Sequence, residues 1–317
     1  MKAAIVRAAG QLPVYGDFAE PTATPGEIRI TVTAAALSPL ARARAAGAHY
    51  SVSGDYPAVV GVDGVGRLDN GRRVYFLSPR APWGAMAEFA VAPAMQIAPL
   101  PDGLDDVTAA AIANPGMSSW AAFKERAKLE AGETVLINGA TGSAGRLAVQ
   151  IAKHFGAKRV IATGRNPEAL RALGVDATIA LVDDEAALED SFKLYLADGI
   201  DVVVDYLWGK SAERLLAAAA KALPDGAPLR YVEVGAASGP AIALPGAVLR
   251  SKTIALMGSG LGSVPLDRLA GDIGELLQAA ATSGFTIPAR AVPLSDVERA
   301  WGEGDGAGRT VFTMDAR

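Results

Sequence analysis

Apolar runs and helix-period stripes alternate through the middle of this chain, and the alternation predicts its architecture. Residues 135–137 are apolar and partly β-branched, as a strand buried on both faces requires. Beyond a glycine-rich turn, Ala144, Leu147, Ala148, Ile151, Ala152 and Phe155 recur at helical spacing, and Gly156 suits the helix end. Similar apolar runs at 159–163, 177–181, 200–205, 229–234 and 253–257 complete a set of six expected strands. Helical stretches lie between most of them, including the alanine-rich 211–223. Such alternation predicts an α/β fold with a parallel, doubly wound Rossmann sheet.

The flanking segments differ. Residues 1 to about 112 read as β-rich and loop-rich, with a first strand in MKAAIVRAAG. Residues 28–33 alternate as a strand, and 73–76 and 85–91 read as further strands. Ser38 and Pro39 suit the start of a short helix that runs to Ala46. After Gly262 a helix over 266–282, a β-like stretch at 289–294, a short helix at 296–301 and a strand at 309–313 are expected. Six strands already complete one dinucleotide fold, so the tail is expected to return to the first domain. The divisions are 1–113, 114–262 and 263–317, the outer two forming one domain.

The turn GATGSAG carries the chemistry. Ala140 takes the first position of a G-x-G-x-x-G fingerprint, with Gly142 and Gly145 in the other two and Gly139 just before. Small residues let the backbone approach a pyrophosphate, and Ser143 and Ala144 offer N–H groups at the positive end of the helix dipole. The second strand ends at Thr163, Gly164, Arg165 and Asn166, about where the ribose-reading residue belongs, roughly 20 residues beyond the turn. An acid there would bind the ribose hydroxyls of NAD. Arg165 suits a 2′-phosphate instead, which predicts NADPH. Asn166 and Pro167 read as an N-cap and first helical residue, turning another helix N-terminus toward the same spot.

Composition narrows the function further. The chain has 317 residues, half of them hydrophobic, and a net charge of −4. That balance gives a sizeable core and no basic surface for nucleic acid or anionic membrane. No run suits a transmembrane helix or signal peptide, so a cytoplasmic location is expected. There are no cysteines and only two histidines, His49 and His154, in distant segments. Disulfides and a thiol nucleophile are excluded, and a zinc site lacks its ligands. His154 reads as a solvated helix residue. The acidic 183–185 read as surface.

The segment VLINGATGSAGRLAVQIAKHFGAKRVIAT resembles the medium-chain dehydrogenase/reductase superfamily, in its zinc-free quinone oxidoreductase branch. GVDGVGRL at 61–68 resembles the branch's glycine/aspartate turn, and GAMAEFAVAP, LPDGLDDVTAAAIANPGMSSWAAF and PLSDVERAW match in pattern. The resemblance implies a GroES-like catalytic domain from both chain ends, an active site in the cleft, and a homodimer joined through the last Rossmann strand. It sets Ser38 where the branch carries an Asn, Ala41 where it carries an Asp, and Leu181 where a tyrosine meets the adenosine phosphate. Ser118 matches a hydroxyl residue before the helix that enters the Rossmann domain. Tyr206 and Gly235, ending the fourth and fifth strands, carry over as cofactor contacts. Without zinc, hydride transfer favours an electrophilic acceptor, a quinone or an α,β-unsaturated carbonyl. Tyr50 is the first candidate donor to the developing oxyanion, with Ser38 and Asn114 behind it.

Two other readings compete. GATGSAG also fits a short-chain carbonyl reductase, and Tyr206 with Lys210 spells its YxxxK dyad. Against this, a short-chain enzyme opens on its glycine turn, and its dyad belongs on a helix. A nucleotide-binding structural or regulatory protein with little catalysis is the second.

Overall fold

The structure, a computed structural model, describes residues 1–48, 56–260, 262–304 and 308–314. Two units are distinguished, one joining Met1–Asn114 to Leu266–Arg317 and the other formed by Pro115–Pro265.

The first unit begins with strands β1 (Lys2–Val6), β2 (Val14–Asp17), β3 (Glu27–Ala36), β4 (Ala58–Val59), β5 (Asp63–Arg67), β6 (Arg73–Leu77), β7 (Phe89–Pro93) and β8 (Ile97–Pro99). β2, β1 and β4 make a small antiparallel sheet. β3 anchors the larger sheet, pairing with β5 and β7. Helix α1 (Pro39–Ala45) follows β3, with Pro39 in its first turn as expected. The strand expected at 85–91 starts later, at Phe89. Met86 is instead pinned singly, donating its N–H to the Val60 carbonyl and accepting from the Ala4 N–H, each at 2.9 Å. GVDGVGRL, expected as a turn, is largely β5.

The resemblance expects a helix only after Ser118, and helix α2 (Asp106–Ala121) begins twelve residues before that serine. It is apolar on nearly every side and carries Pro115 inside, so it shows neither a polar stripe nor an unbroken helical sequence.

The second unit holds β9 (Thr134–Asn138), α3 (Ser143–His154), β10 (Arg159–Gly164), α4 (Pro167–Arg171), β11 (Ala177–Ala180), α5 (Glu185–Leu196), β12 (Val202–Asp205), α6 (Gly209–Ala222), β13 (Leu229–Glu233), α7 (Gly246–Ser251) and β14 (Ile254–Gly258). All six strands are parallel, in the order β11-β10-β9-β12-β13-β14. The order of strand addition therefore reverses between β9 and β12, where such sheets open a crevice for ligand at their carboxyl ends. Leu136, Ile161, Val203, Leu215 and Phe192 fill the core on one side. The acidic run at 183–185 has structural work. Asp184 caps α5, accepting from the Ala186 and Ala187 N–H groups at 3.0 and 3.1 Å. Glu185 pairs with Lys210 at 2.8 Å.

The tail forms α8 (Leu266–Ser283), β15 (Ala289–Pro293), α9 (Val297–Ala300) and β16 (Arg309–Thr313). It does return to the first unit. β16 runs antiparallel to β3, with Thr313 opposite Ala34, and parallel to β15. Val292, Val297, Trp301 and Phe312 share one core with Ile30, Val32 and Phe76. Each large side chain so buried contributes about 1.5–3 kcal/mol. No helix among the described residues is long and apolar enough to cross a membrane.

Candidate dinucleotide site

The glycine turn leaves β9 through Gly139, whose φ of +89° suits glycine. A Cβ there would also lie 2.8 Å from Leu207 Cγ. At Gly145 a Cβ would stand 2.5 Å from the Ala140 Cα, so α3 lies directly on the turn. Gly142 starts the helix without a side-chain cap. The first bond of the helix is Arg146 N–H to the Gly142 carbonyl, at 2.9 Å. Ser143, Ala144 and Gly145 thus present N–H groups that no acceptor among the described residues takes. Gly142 is exposed and Ser143 and Ala144 half-buried, so an anion can reach them. This donor set fits a pyrophosphate.

A buried polar network holds the turn. Gly139 donates its N–H to Thr163 Oγ1 at 3.0 Å, and the Thr163 hydroxyl donates to Asn138 Oδ1 at 2.7 Å. Asn138 Nδ2 donates to Asp205 Oδ1 at 2.8 Å and to Ser211 Oγ at 3.0 Å. Asp205 also accepts from the Tyr231 hydroxyl at 2.6 Å and from the Leu207 and Trp208 N–H groups at 2.8 and 3.1 Å. Those last bonds hold Trp208 at a φ of +56°, a conformation costing roughly 1–3 kcal/mol on its own. Burial holds the Asp205 carboxyl above the usual range despite these hydrogen bonds. Thr163 and Ala140, expected among the cofactor contacts, are fully buried. Their side chains shape the turn from inside. Asn138 and Asp205 escaped the sequence reading, although a polar residue closing an apolar strand is a usable signal.

At the end of β10, Arg165 is exposed and has no hydrogen-bond or ion-pair partner among the described residues. Gly164 beside it is buried against Thr141. Asn166 does cap α4, its Oδ1 accepting from the Glu168 and Ala169 N–H groups at 2.9 and 3.1 Å. Those donors are therefore taken. The expected second helix N-terminus facing the ribose is closed by its own cap.

Ser118 lies inside α2 rather than before a helix, and its hydroxyl turns back to the Pro115 carbonyl at 2.8 Å. Its neighbour Ser119 reaches the Tyr206 hydroxyl at 2.7 Å and the Ala144 carbonyl at 3.2 Å. Burial raises the pKa of the Tyr206 phenol. Lys210 is exposed and paired with Glu185, while the Tyr206 phenol sits with Ser119. The YxxxK spelling is not a working dyad. Gly235, past the end of β13, donates its N–H to the Asp205 carbonyl at 3.2 Å.

In the first unit Ser38 is buried and caps α1, its Oγ accepting from the Ala41 N–H at 3.0 Å. Asn114 is half-buried and donates from Nδ2 to Asp63 Oδ1 at 3.4 Å. Asp63, unremarked as a titrating group in the sequence, is fully buried and accepts from the Tyr75 hydroxyl at 2.9 Å. Burial pushes its carboxyl up to about 6, against the pull of Arg309, the Tyr75 bond and Arg44. Burial and the Asp63 charge raise the Tyr75 phenol in turn. A cavity of about 120 Å³ beside α1 is lined by Ala41, Ala45, Tyr56, Val62 and Trp83, among others. The Tyr56 hydroxyl is buried without a hydrogen-bond partner among the described residues. Tyr50 and His49 lie outside the described residues. Among those described, no group of three or more His, Cys, Asp or Glu is placed to hold a metal ion.

A family model described as zinc-binding dehydrogenase matches residues 144–281. A probable NADPH-dependent quinone reductase of Emericella nidulans is 28% identical over 345 residues, spanning 95% of this chain and 96% of its own. Polyketide synthases of Mycobacterium and Streptomyces also match, and the chain spans a tenth or less of their length. The quinone oxidoreductase of Thermus thermophilus, also solved with NADPH, superposes with a TM-score of 0.80 at 28% identity, covering 99% of this chain and 100% of that one. A mycobacterial quinone oxidoreductase shares the fold at a TM-score of 0.84 and 23% identity, covering 99% of both chains. With its β9-to-α3 turn, its six-stranded order and these relatives together, the chain resembles the quinone oxidoreductases of the medium-chain dehydrogenase/reductase superfamily.

Proposed function

We propose that the protein is an NADPH-dependent oxidoreductase that reduces a quinone or an α,β-unsaturated carbonyl without zinc. One observation carries the reading: an uncapped helix N-terminus on a glycine turn stands beside a second strand that ends in Gly164 and Arg165 rather than an acid. The N–H groups of Ser143, Ala144 and Gly145 take the pyrophosphate. Arg165 takes the 2′-phosphate, which an acid in its place would repel. Tyr206, Ser118 and Gly235 border the cofactor from the strand ends and α2. NADPH, when bound, supplies a hydride from its nicotinamide ring.

The chain's own groups then manage charge and proton. A quinone that gains hydride becomes a hydroquinone anion, and an enone becomes an enolate. Either needs a donor to its oxygen, the role proposed for Tyr50, with Ser38 and Asn114 as alternatives. Water completes the protonation. The zinc-free reading is supported by a chain without cysteine and with two histidines.

The test is steady NADPH oxidation with a panel of simple quinones and enones. Turnover with at least one acceptor is expected. Tight NADPH binding with no turnover across the panel would favour the structural or regulatory reading. Arg165→Ala is expected to weaken NADPH by about tenfold or more while sparing NADH; equal losses remove its role. A homodimer through β14 is part of the proposal, since β14 ends the strand order and an open edge invites a partner. Light scattering should return twice the chain mass, and a monomer would refute it.

A further inference from the structure

A 2′-phosphate carries close to two negative charges at neutral pH, its second pKa being about 6. In the NADPH reading Arg165 alone answers them, and Leu181 brings no polar group. The structure supplies a second cation. Arg146 lies in the first turn of α3, where side chains lean toward the helix N-terminus. Its Nε donates to the Thr141 carbonyl at 3.0 Å. The Thr141 side chain in turn covers Gly164, where an added Cβ would lie 2.8 Å from Thr141 Cγ2 and 3.3 Å from its Oγ1. The Gly164 carbonyl accepts from the Leu181 N–H at 2.9 Å. The turn after β9, the end of β10 and the residue after β11 therefore meet at Thr141 and Gly164. Arg146 is anchored on the Thr141 carbonyl, and the Thr141 side chain covers the residue that precedes Arg165.

The chemistry of that guanidinium is unspent. Nε holds Thr141, and no acceptor among the described residues takes either Nη atom of Arg146. By contrast Arg73, Arg159, Arg214, Arg230, Arg290 and Arg299 each pair with a carboxylate. Arg146 is half-buried, so part of its ordering is complete before any ligand arrives. A planar fork held at one nitrogen presents its other N–H groups in the geometry a phosphate prefers.

We propose that Arg146 is a specificity-determining residue that binds the 2′-phosphate of NADPH together with Arg165. The proposal rests on the NADPH reading and adds a second, anchored guanidinium to it. The experiment measures Kd for NADPH and NADH with wild type, Arg146→Ala, Arg146→Glu and Arg165→Ala. Arg146→Ala should weaken NADPH about tenfold or more. NADH should stay within about twofold, the scatter expected of an uninvolved site. Arg146→Glu should weaken NADPH further still and again spare NADH. NADH uses the same glycine turn, so its affinity reports whether the turn survives each change. If Arg146→Ala weakens both nucleotides alike, or leaves their ratio unchanged, Arg146 merely props Thr141 and the proposal is overturned. In that event a changed ratio in Arg165→Ala keeps the NADPH reading intact. A wild type that binds both nucleotides equally overturns the two together.

Discussion

Asp63→Asn tests the buried carboxyl of the first unit by making it unable to titrate. The substitution keeps the side-chain shape and an oxygen for the Tyr75 hydroxyl. In the fold the Asp63 carboxyl rises from an ordinary 3.8 to about 6, because burial outweighs Arg309, the Tyr75 bond and Arg44. Two pKa units at about 1.4 kcal/mol each amount to about 3 kcal/mol. Between the two values the folded protein keeps a proton that the unfolded chain has lost. The group's contribution is therefore fully present below about pH 4 and is lost as pH rises through about 6. Urea unfolding of both proteins at stepped pH, read by tryptophan fluorescence, gives the two stabilities. Their difference, wild type minus variant, cancels the titration of every other carboxyl. It should fall by about 2 kcal/mol from pH 4 to pH 7, because the unfolded carboxyl is already partly ionised at the start. A flat difference, or one that rises with pH, would mean that Arg309 and Arg44 hold Asp63 as an anion, and the burial reasoning would be wrong.

Other expectations are read more simply. Gly145→Ala sets a Cβ 2.5 Å from the Ala140 Cα, so NADPH and NADH should both weaken by at least tenfold, with a loss of about 2 kcal/mol in stability; titration with each nucleotide checks it, and normal affinity would mean the turn yields easily. Tyr50→Phe should lower turnover more than it lowers NADPH affinity, and unchanged turnover would leave Tyr50 a packing residue. Lys210→Ala should leave turnover intact and stability nearly unchanged, because its ion pair with Glu185 is a surface one; a large loss of activity would revive the YxxxK reading.

Much of the second unit is legible in the sequence because its central strands β9, β10 and β12 are buried on both faces and its glycine turn sits between two strong patterns. The strand order follows from that periodicity and the rules of parallel sheets. The return of the tail follows from a strand count alone. What escapes has physical reasons. Helix α2 shows no stripe because it is buried nearly all round, and Pro115 disguises it. The choice between Ser118 and Ser119 turns on about 100° of helix rotation, which no local pattern sets. Asn138, Thr163 and Asp205 act through bonds between three strands that lie far apart in sequence. Their partnership is a property of the sheet. Arg146 looks like any helix arginine until its Nε is seen on Thr141.

The pairing of β16 with β3 has a consequence for how the chain is made. Synthesis delivers β3 early, but the neighbour that completes its edge at Ala34–Ala36 arrives more than 200 residues later. The second unit is continuous, so on the ribosome it has all its strands before the first unit does. Until then the nascent first unit exposes a β-edge and an unfinished apolar core awaiting Val297, Trp301 and Phe312. The core of the first unit therefore closes only once β16 has been made, after every strand of the second unit is already in place.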